Sequence, residues 1–113
     1  MASDLFVKVQ LNHAEALFML GAEDDAETVE NVDVEVFYDD GSRWSGTFLS
    51  LAEIGRIMDR WRFTGESLGG SYFQCPDLVI VRHGGVAAMS RVLNGLVDSG
   101  EFRSVLVRVD IEE

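Results

Sequence analysis

Residues 32–63 have the sequence VDVEVFYDDGSRWSGTFLSLAEIGRIMDRWRF, which contains two strand patterns, a turn and a helix pattern in succession. Valine alternates with charged residues over 32–36, so one face of that segment is apolar and the other is charged. The same period of two returns over 43–49. Between the two patterns, Asp40-Gly41 is typical of a tight turn, because glycine tolerates a positive φ. The segment therefore predicts a β-hairpin.

Two pairing registers are compatible with this hairpin. A two-residue loop at Asp40-Gly41 would pair Phe37 with Trp44. A three-residue loop over 39–41, with Gly41 as a bulge residue, pairs each valine of the first strand with the apolar face of the second. We expect the second register, whose pairs are Val36 with Trp44, Val34 with Gly46 and Val32 with Phe48.

A helix is predicted directly after the hairpin. Ser50 is a good N-cap, and Glu53 stands at the spacing of a capping box. Gly65 is a plausible end of this helix. Five apolar residues recur at helical spacing and predict one buried stripe: Leu51, Ile54, Ile57, Met58 and Trp61.

The rest of the chain contains further strand and helix patterns. Residues 5–11 alternate and predict a strand, while residues 12–20 favour a short helix, with a buried strand as the alternative. Residues 72–75 can begin another strand. Residues 78–81 are apolar on both faces, which is typical of a central, doubly covered strand. A second helical stripe, closed near Gly100, and a last strand over 105–111 follow.

These elements predict an α+β protein that forms a single domain over residues 1–113. We expect one mixed, mainly antiparallel sheet of about five or six strands with two or three helices. The hairpin is followed by a helix, and the C-terminal part is a β-α-β segment.

Composition limits the cellular compartments and the kinds of site that the sequence is compatible with. No apolar run approaches the roughly 18 residues of a membrane span, and the first residues do not have the pattern of a secretory signal. The single cysteine excludes an internal disulfide. We therefore predict a cytoplasmic protein.

His13 and His83 lie far apart in the sequence, and no His/Cys pair has zinc spacing, so we predict no metal and no cofactor.

Negative charge is concentrated in the first third of the chain. The formal net charge is −11, and residues 1–41 carry eleven acidic residues and one lysine. The remaining residues carry nine acidic residues and eight arginines, so they are almost balanced. Such a field argues against binding to nucleic acid or to an anionic membrane, and it favours a basic protein partner.

The first functional hypothesis is thus a non-enzymatic interaction domain whose acidic segment engages a basic partner. Small acidic bacterial immunity proteins and enzyme inhibitors have a similar size and charge, and that similarity is one of composition alone. A solvated surface that only confers solubility is the competing interpretation. The predicted partner-binding residues are Glu23, Asp24, Asp25, Glu27, Glu30, Asp33, Glu35, Asp39 and Asp40.

Two other functions are compatible with the sequence. A small-ligand or enzymatic pocket would lie near Tyr72, Cys75 and His83, although a lone cysteine of this kind is more often a buried structural thiol. The turn formed by His83, Gly84 and Gly85 precedes a helix and could hold an anion. The third hypothesis is a structural subunit that forms a homodimer through an exposed strand.

Overall fold

The computed structural model describes residues 6–110, which form one six-stranded sheet and four helical segments. The strands are β1 (Phe6–Gln10), β2 (Ala14–Met19), β3 (Asn31–Tyr38), β4 (Arg43–Ser50), β5 (Leu78–Val81) and β6 (Val107–Arg108). The helical segments are α1 (Leu51–Thr64), α2 (Glu66–Gly70), α3 (Val86–Ser99) and α4 (Phe102–Val105). The predicted α+β class is confirmed. Leu5 and Ile111, which the sequence assigns to the first and last strands, lie outside the described residues.

The sheet is mixed and mainly antiparallel. Its order is β1-β2-β3-β4-β5, and only the β4–β5 pair is parallel. Strand β6 pairs antiparallel with β4 at Trp44 and Ser45, so β5 and β6 follow one another along the same edge of β4. The C-terminal strand-helix-strand segment is therefore present, with its two strands running in opposite directions.

The hairpin has the register that the sequence predicts. Val36 pairs with Trp44, Val34 with Gly46 and Val32 with Phe48. The Tyr38 N–H donates to the Ser42 carbonyl at 2.9 Å, and Gly41 has a φ of 90°. A residue with a side chain would be strained at that φ, so glycine allows the three-residue loop to form without backbone strain.

The main core lies between one face of the sheet and the C-terminal helices. The fully buried side chains of the sheet include Phe18, Val34 and Phe48, and they pack in one cluster with Met89 and Leu93 of α3. Helix α4 adds Phe102, whose ring lies 5.1 Å from Trp44 and 4.9 Å from Tyr38 between centroids. The opposite face of the sheet is not fully covered. At its centre, Asp33 of β3 is exposed and Glu35 is half-buried.

Helix α1 begins and ends where predicted but buries less than predicted. The Ser50 Oγ accepts from the Glu53 N–H at 3.1 Å, and Gly65 ends the helix in the left-handed region. The reciprocal capping bond is replaced, because the Ser50 N–H donates to the Glu30 carbonyl. Of the predicted stripe, only Ile57 is buried, and Leu51 is exposed.

Ile54, Met58 and Trp61 of the α1 stripe are half-buried. Trp61 stacks on Phe73 with ring centroids 5.4 Å apart, outside the main core. In α2, Ser67 and Leu68 have φ of 49° and 53°, so this turn is left-handed.

None of the helices between residues 6 and 110 combines the length and the apolar character that a membrane span requires.

Four sequence predictions are wrong in detail. Residues 14–19 form strand β2, so the favoured helix is wrong and the alternative of a buried strand is confirmed, with Ala14, Ala16 and Phe18 buried. Residues 72–75 are irregular rather than a strand. Strand β5 lies at the edge of the sheet rather than at its centre. Of the predicted last strand over 105–111, only Val107–Arg108 forms a strand, because Val105 belongs to helix α4 and residues 109–110 are irregular.

Candidate interaction surface

The segment Gly21–Glu30, which we name the acidic loop, is folded into consecutive turns. The Asp24 Oδ2 accepts from the Gly21 N–H at 2.7 Å. The Asp25 Oδ1 accepts from the Glu27 N–H at 2.8 Å, and the Asp25 carbonyl accepts from the Val29 N–H at 2.9 Å. Two of the acidic side chains therefore hold the backbone of the loop in shape, which is a common use of aspartate in turns.

The acidic loop is anchored to the N-terminus of α3. Val29 is buried in the main core. The Gly85 N–H donates to the Val29 carbonyl at 2.7 Å, and the Val86 N–H donates to the Ala26 carbonyl at 2.8 Å. These two donors are therefore used within the protein, so they are not free to hold an anion.

Glycine is needed where the loop meets α3. A Cβ at Gly84 would lie 2.7 Å from the Val29 carbonyl oxygen, and one at Gly85 would lie 2.6 Å from the Glu27 carbonyl oxygen. Gly85 also has a φ of 97°. The His83-Gly84-Gly85 turn is thus the docking point of the acidic loop, because only glycine permits this approach of two backbones.

The end of the acidic loop is tied to the start of α1. The Glu30 Oε1 accepts from the Ser50 Oγ at 2.6 Å and from the Arg56 Nη2 at 2.7 Å. The hydrogen bond from Ser50, followed by that from Arg56, lowers the pKa of Glu30 below its ordinary value. The Arg56 Nε also donates to Glu53 at 3.0 Å, and these two carboxylates, Glu30 first, raise the pKa of Arg56.

An open cleft of about 230 Å³ lies between the acidic loop and the first turns of α1. Five carboxylates and a single guanidinium line it, so the cleft is strongly negative. Its charged residues are Glu23, Asp24, Asp25, Glu30, Glu53 and Arg56. Within residues 6–110, no group of three or more His, Cys, Asp or Glu side chains is arranged to hold a metal ion.

Four carboxylates of the acidic loop form no ion pair within the described residues. Glu23, Asp24, Asp25 and Glu27 are exposed. Among the ion pairs of residues 6–110, none includes any of these four residues. Their negative charge is consequently presented to solvent by a backbone that is held in place.

The other predicted partner-binding residues lie elsewhere. Asp33 and Glu35 are on the solvent side of β3, where Asp33 accepts from Thr47 at 2.9 Å and Glu35 pairs with Arg43 at 3.3 Å. Asp39 and Asp40 form the hairpin tip, at the opposite end of β3 from the acidic loop. An eight-residue strand spans roughly 25 Å, so the nine residues do not form one surface.

Asp40 also has a structural use. Its Oδ1 accepts from both the N–H and the hydroxyl of Ser42. These two hydrogen bonds, and to a lesser extent Arg103 and Arg108, lower the pKa of Asp40. The hairpin tip thus lies within the influence of two arginines, whereas four carboxylates of the acidic loop form no ion pair within the described residues: Glu23, Asp24, Asp25 and Glu27.

The residues predicted for a small-ligand pocket are not brought together. His83 lines an open cleft of about 530 Å³ with Glu27 and Arg91, and neither Tyr72 nor Cys75 lines that cleft. Cys75 is half-buried, and its Sγ lies 3.4 Å from the Asp77 Oδ1. Burial, followed by the hydrogen bond to Asp77, raises the pKa of the Cys75 thiol, which is the opposite of what a nucleophile needs.

Four residues that matter here lie outside the predicted partner-binding set. Arg56 pairs with Glu53 of its own helix and with Glu30, which is 26 residues away in the chain. Glu53 was predicted as a capping residue only. The sequence shows the glycine pair at 84–85, but it does not indicate that the acidic loop packs against that pair.

Comparison with known proteins does not assign the chain to a family. No family model matches it, and neither a curated protein nor a solved structure has significant similarity to it. Its function is therefore argued below from its own geometry and charge.

Proposed function

We infer that this chain is a non-enzymatic interaction domain that binds a basic protein partner through the acidic loop and the cleft beside it. The observation that carries the proposal is the set of exposed carboxylates at Glu23, Asp24, Asp25 and Glu27, which form no ion pair within residues 6–110 and are held on a hydrogen-bonded loop. The partner would insert a lysine or arginine side chain into the cleft. Arg56 forms ion pairs with Glu30 and Glu53, so it does not compete with that cation for the carboxylates of Glu23, Asp24 and Asp25.

Order in the loop favours binding. Association is opposed by the loss of conformational freedom of the groups that become fixed, so a surface already fixed in the free protein loses less on binding. The loop is attached at two places, to α3 through Gly85 and Val86 and to the start of α1 through Glu30. It is therefore better suited to recognition than a flexible solubilising segment.

Charge favours fast association. A surface dominated by one sign steers an oppositely charged partner and raises the association rate, and salt reduces this effect. The preferred partner is accordingly a protein with a cationic groove, such as a nuclease that binds phosphates. An immunity-type or inhibitor-type protein would cover that groove and lower the activity of its partner.

The site can be tested without knowing the partner. A fluorescein-labelled oligoarginine peptide serves as the probe, and its affinity is measured by fluorescence anisotropy at about 50 mM and about 300 mM NaCl. We expect the double variant Glu23→Gln/Glu27→Gln to bind the probe at least about fivefold more weakly than the wild type at low salt. Asp24 and Asp25 are kept, because they hold the backbone of the loop.

The matched control removes the same charge elsewhere. Asp39→Asn/Glu101→Gln also deletes two carboxylates, from the hairpin tip and from the start of α4. Equal weakening by both double variants would show that only net charge matters, and would refute a dedicated site. A photo-crosslinking residue at position 23, compared with one at position 101, then identifies the natural partner.

A further inference from the structure

Strand β5 leaves one of its two backbone edges free. Its inner edge pairs with β4, where Thr47 is opposite Leu78 and the Thr47 N–H donates to the Asp77 carbonyl at 2.9 Å. In a parallel ladder of this register, alternate residues direct both backbone groups to the partner strand. Residues 77, 79 and 81 therefore face β4, and the N–H and C=O groups of Leu78 and Ile80 point away from the sheet.

No other strand of the described chain pairs with this outer edge. The sheet ends at β5, and within residues 6–110 no backbone hydrogen bond outside the β4 ladder involves residues 78–81. The four residues are all apolar, and the side chain of Ile80 is 52% exposed. Proteins usually protect such an edge with charged residues, proline or a bulge. Here those residues only flank the strand, as Pro76, Asp77 and Arg82, so the four apolar residues themselves can act as a template for another strand.

The two ends of β5 carry opposite charges. Asp77 precedes the strand, and Arg82, which is exposed, follows it. Within the described residues, Arg82 forms no ion pair. If a second copy of the chain pairs antiparallel, the Asp77 end of each strand lies beside the Arg82 end of the other. A parallel arrangement would place like charges together, so the charges favour the antiparallel one.

We propose that β5 pairs antiparallel with β5 of a second copy of this chain, which joins the two six-stranded sheets into one across a two-fold axis. The register centres on Val79, so that Leu78 lies opposite Ile80 of the second copy. This register pairs all four outward N–H groups and all four outward C=O groups of residues 78 and 80 in the two strands. The partner is a second copy rather than an unrelated peptide, because the charges at the strand ends complement themselves only under two-fold symmetry.

Charge reversal tests the arrangement. In this register Asp77 lies opposite Val81 of the second copy, one residue from its Arg82. Asp77→Arg therefore brings two arginines near each other at both ends of the pair, and Arg82→Asp brings two carboxylates near each other there. We expect each variant alone to dimerise about tenfold more weakly than the wild type. An equimolar mixture of the two variants restores both contacts, so it should form a heterodimer. Sedimentation velocity from about 5 to about 200 µM protein, at about 300 mM NaCl to screen the net charge, measures each case.

A backbone substitution is the second test. Ile80→Pro removes an outward N–H and leaves the β4 ladder intact, so it should give a monomer with an unchanged far-UV circular dichroism spectrum. Wild-type protein that stays monomeric over the whole range, or a dimer that survives Ile80→Pro or gains nothing from the mixture, overturns the proposal. The oligoarginine assay is independent of this one, because it depends on Glu23 and Glu27 rather than on β5.

Discussion

Glu30 and Arg56 are 26 residues apart in the chain and form an ion pair of 2.7 Å that fastens the acidic loop to α1. The same Glu30 carboxylate accepts from Ser50, the N-cap of α1, at 2.6 Å. One side chain thus joins the candidate binding loop, the end of β4 and the start of the helix.

Removing Arg56 should loosen the acidic loop more than it destabilises the protein. Arg56 is more than half exposed, and an exposed ion pair contributes little to global stability. In Arg56→Ala, we therefore expect a melting temperature close to that of the wild type, with faster amide hydrogen exchange at residues 27–29. Arg60→Ala, on an exposed part of the same helix, is the control and should leave exchange in the loop unchanged.

Acid should weaken the same attachment. The pKa of Glu30 is lowered from its ordinary value of 4.5 by Ser50 and then by Arg56, so the folded state binds this proton less readily than the unfolded chain does. The resulting stability is fully present above the ordinary value, and it is lost as the pH falls through the lowered pKa. Thermal unfolding of the wild type and of Glu30→Gln, from about pH 7 down to about pH 3, should give melting temperatures that converge only at the acidic end. A constant difference over that range would contradict the assignment, and Glu23→Gln is the control.

Two glycine substitutions should have effects of opposite sign. Alanine at Gly85 would hold an unfavourable φ of 97° and place its Cβ 2.6 Å from the Glu27 carbonyl oxygen, so we expect a loss of about 1 to 3 kcal/mol in the free energy of unfolding. Alanine at Gly95 lies inside α3 with nothing within 4 Å of its Cβ. There the better helix propensity should add about 0.5 to 1 kcal/mol. Urea denaturation of both variants measures the difference, and equal effects would show that the loop does not dock as described.

Two phenylalanine truncations should separate the core from the surface. Phe48 is fully buried against Phe18, whereas Phe63 near the end of α1 is 87% exposed. Phe48→Ala should lower the free energy of unfolding by about 3 to 5 kcal/mol through lost burial and a cavity. Phe63→Ala should change it by less than about 0.5 kcal/mol. Urea denaturation of both variants, fitted with a common m-value, measures the two changes. A large decrease in the free energy of unfolding for Phe63→Ala would show that α1 packs more tightly than the exposure of Phe63 indicates.

Local pattern was sufficient for the hairpin and for the limits of α1. The valines of β3 and the aromatic residues of β4 alternate strictly, and Gly41 permits the turn, so only one register keeps the apolar faces together. The ends of α1 were likewise predicted, because Ser50 and Gly65 act on backbone groups within a few residues of themselves.

Local pattern failed where burial depends on distant neighbours. In β2, Leu17 and Met19 lie on the half-buried side of the sheet and mask the alternation of Ala14, Ala16 and Phe18. The apolar sequence of β5 indicates a central strand, although β5 lies at the edge with Ile80 exposed. A run of apolar residues shows that a segment can be buried, but only the packing of other elements decides which faces are covered.

The candidate site divides in the same way. The amino-acid sequence by itself determined that negative charge is gathered between residues 15 and 40, since charge is a property of composition. The tertiary structure alone decided that the acidic loop docks on Gly84 and Gly85, that Arg56 reaches Glu30, and that β3 carries Asp39 and Asp40 to the far end of the sheet. These relationships join backbone and side-chain groups that are distant in the chain, and no local spacing encodes which distant groups meet.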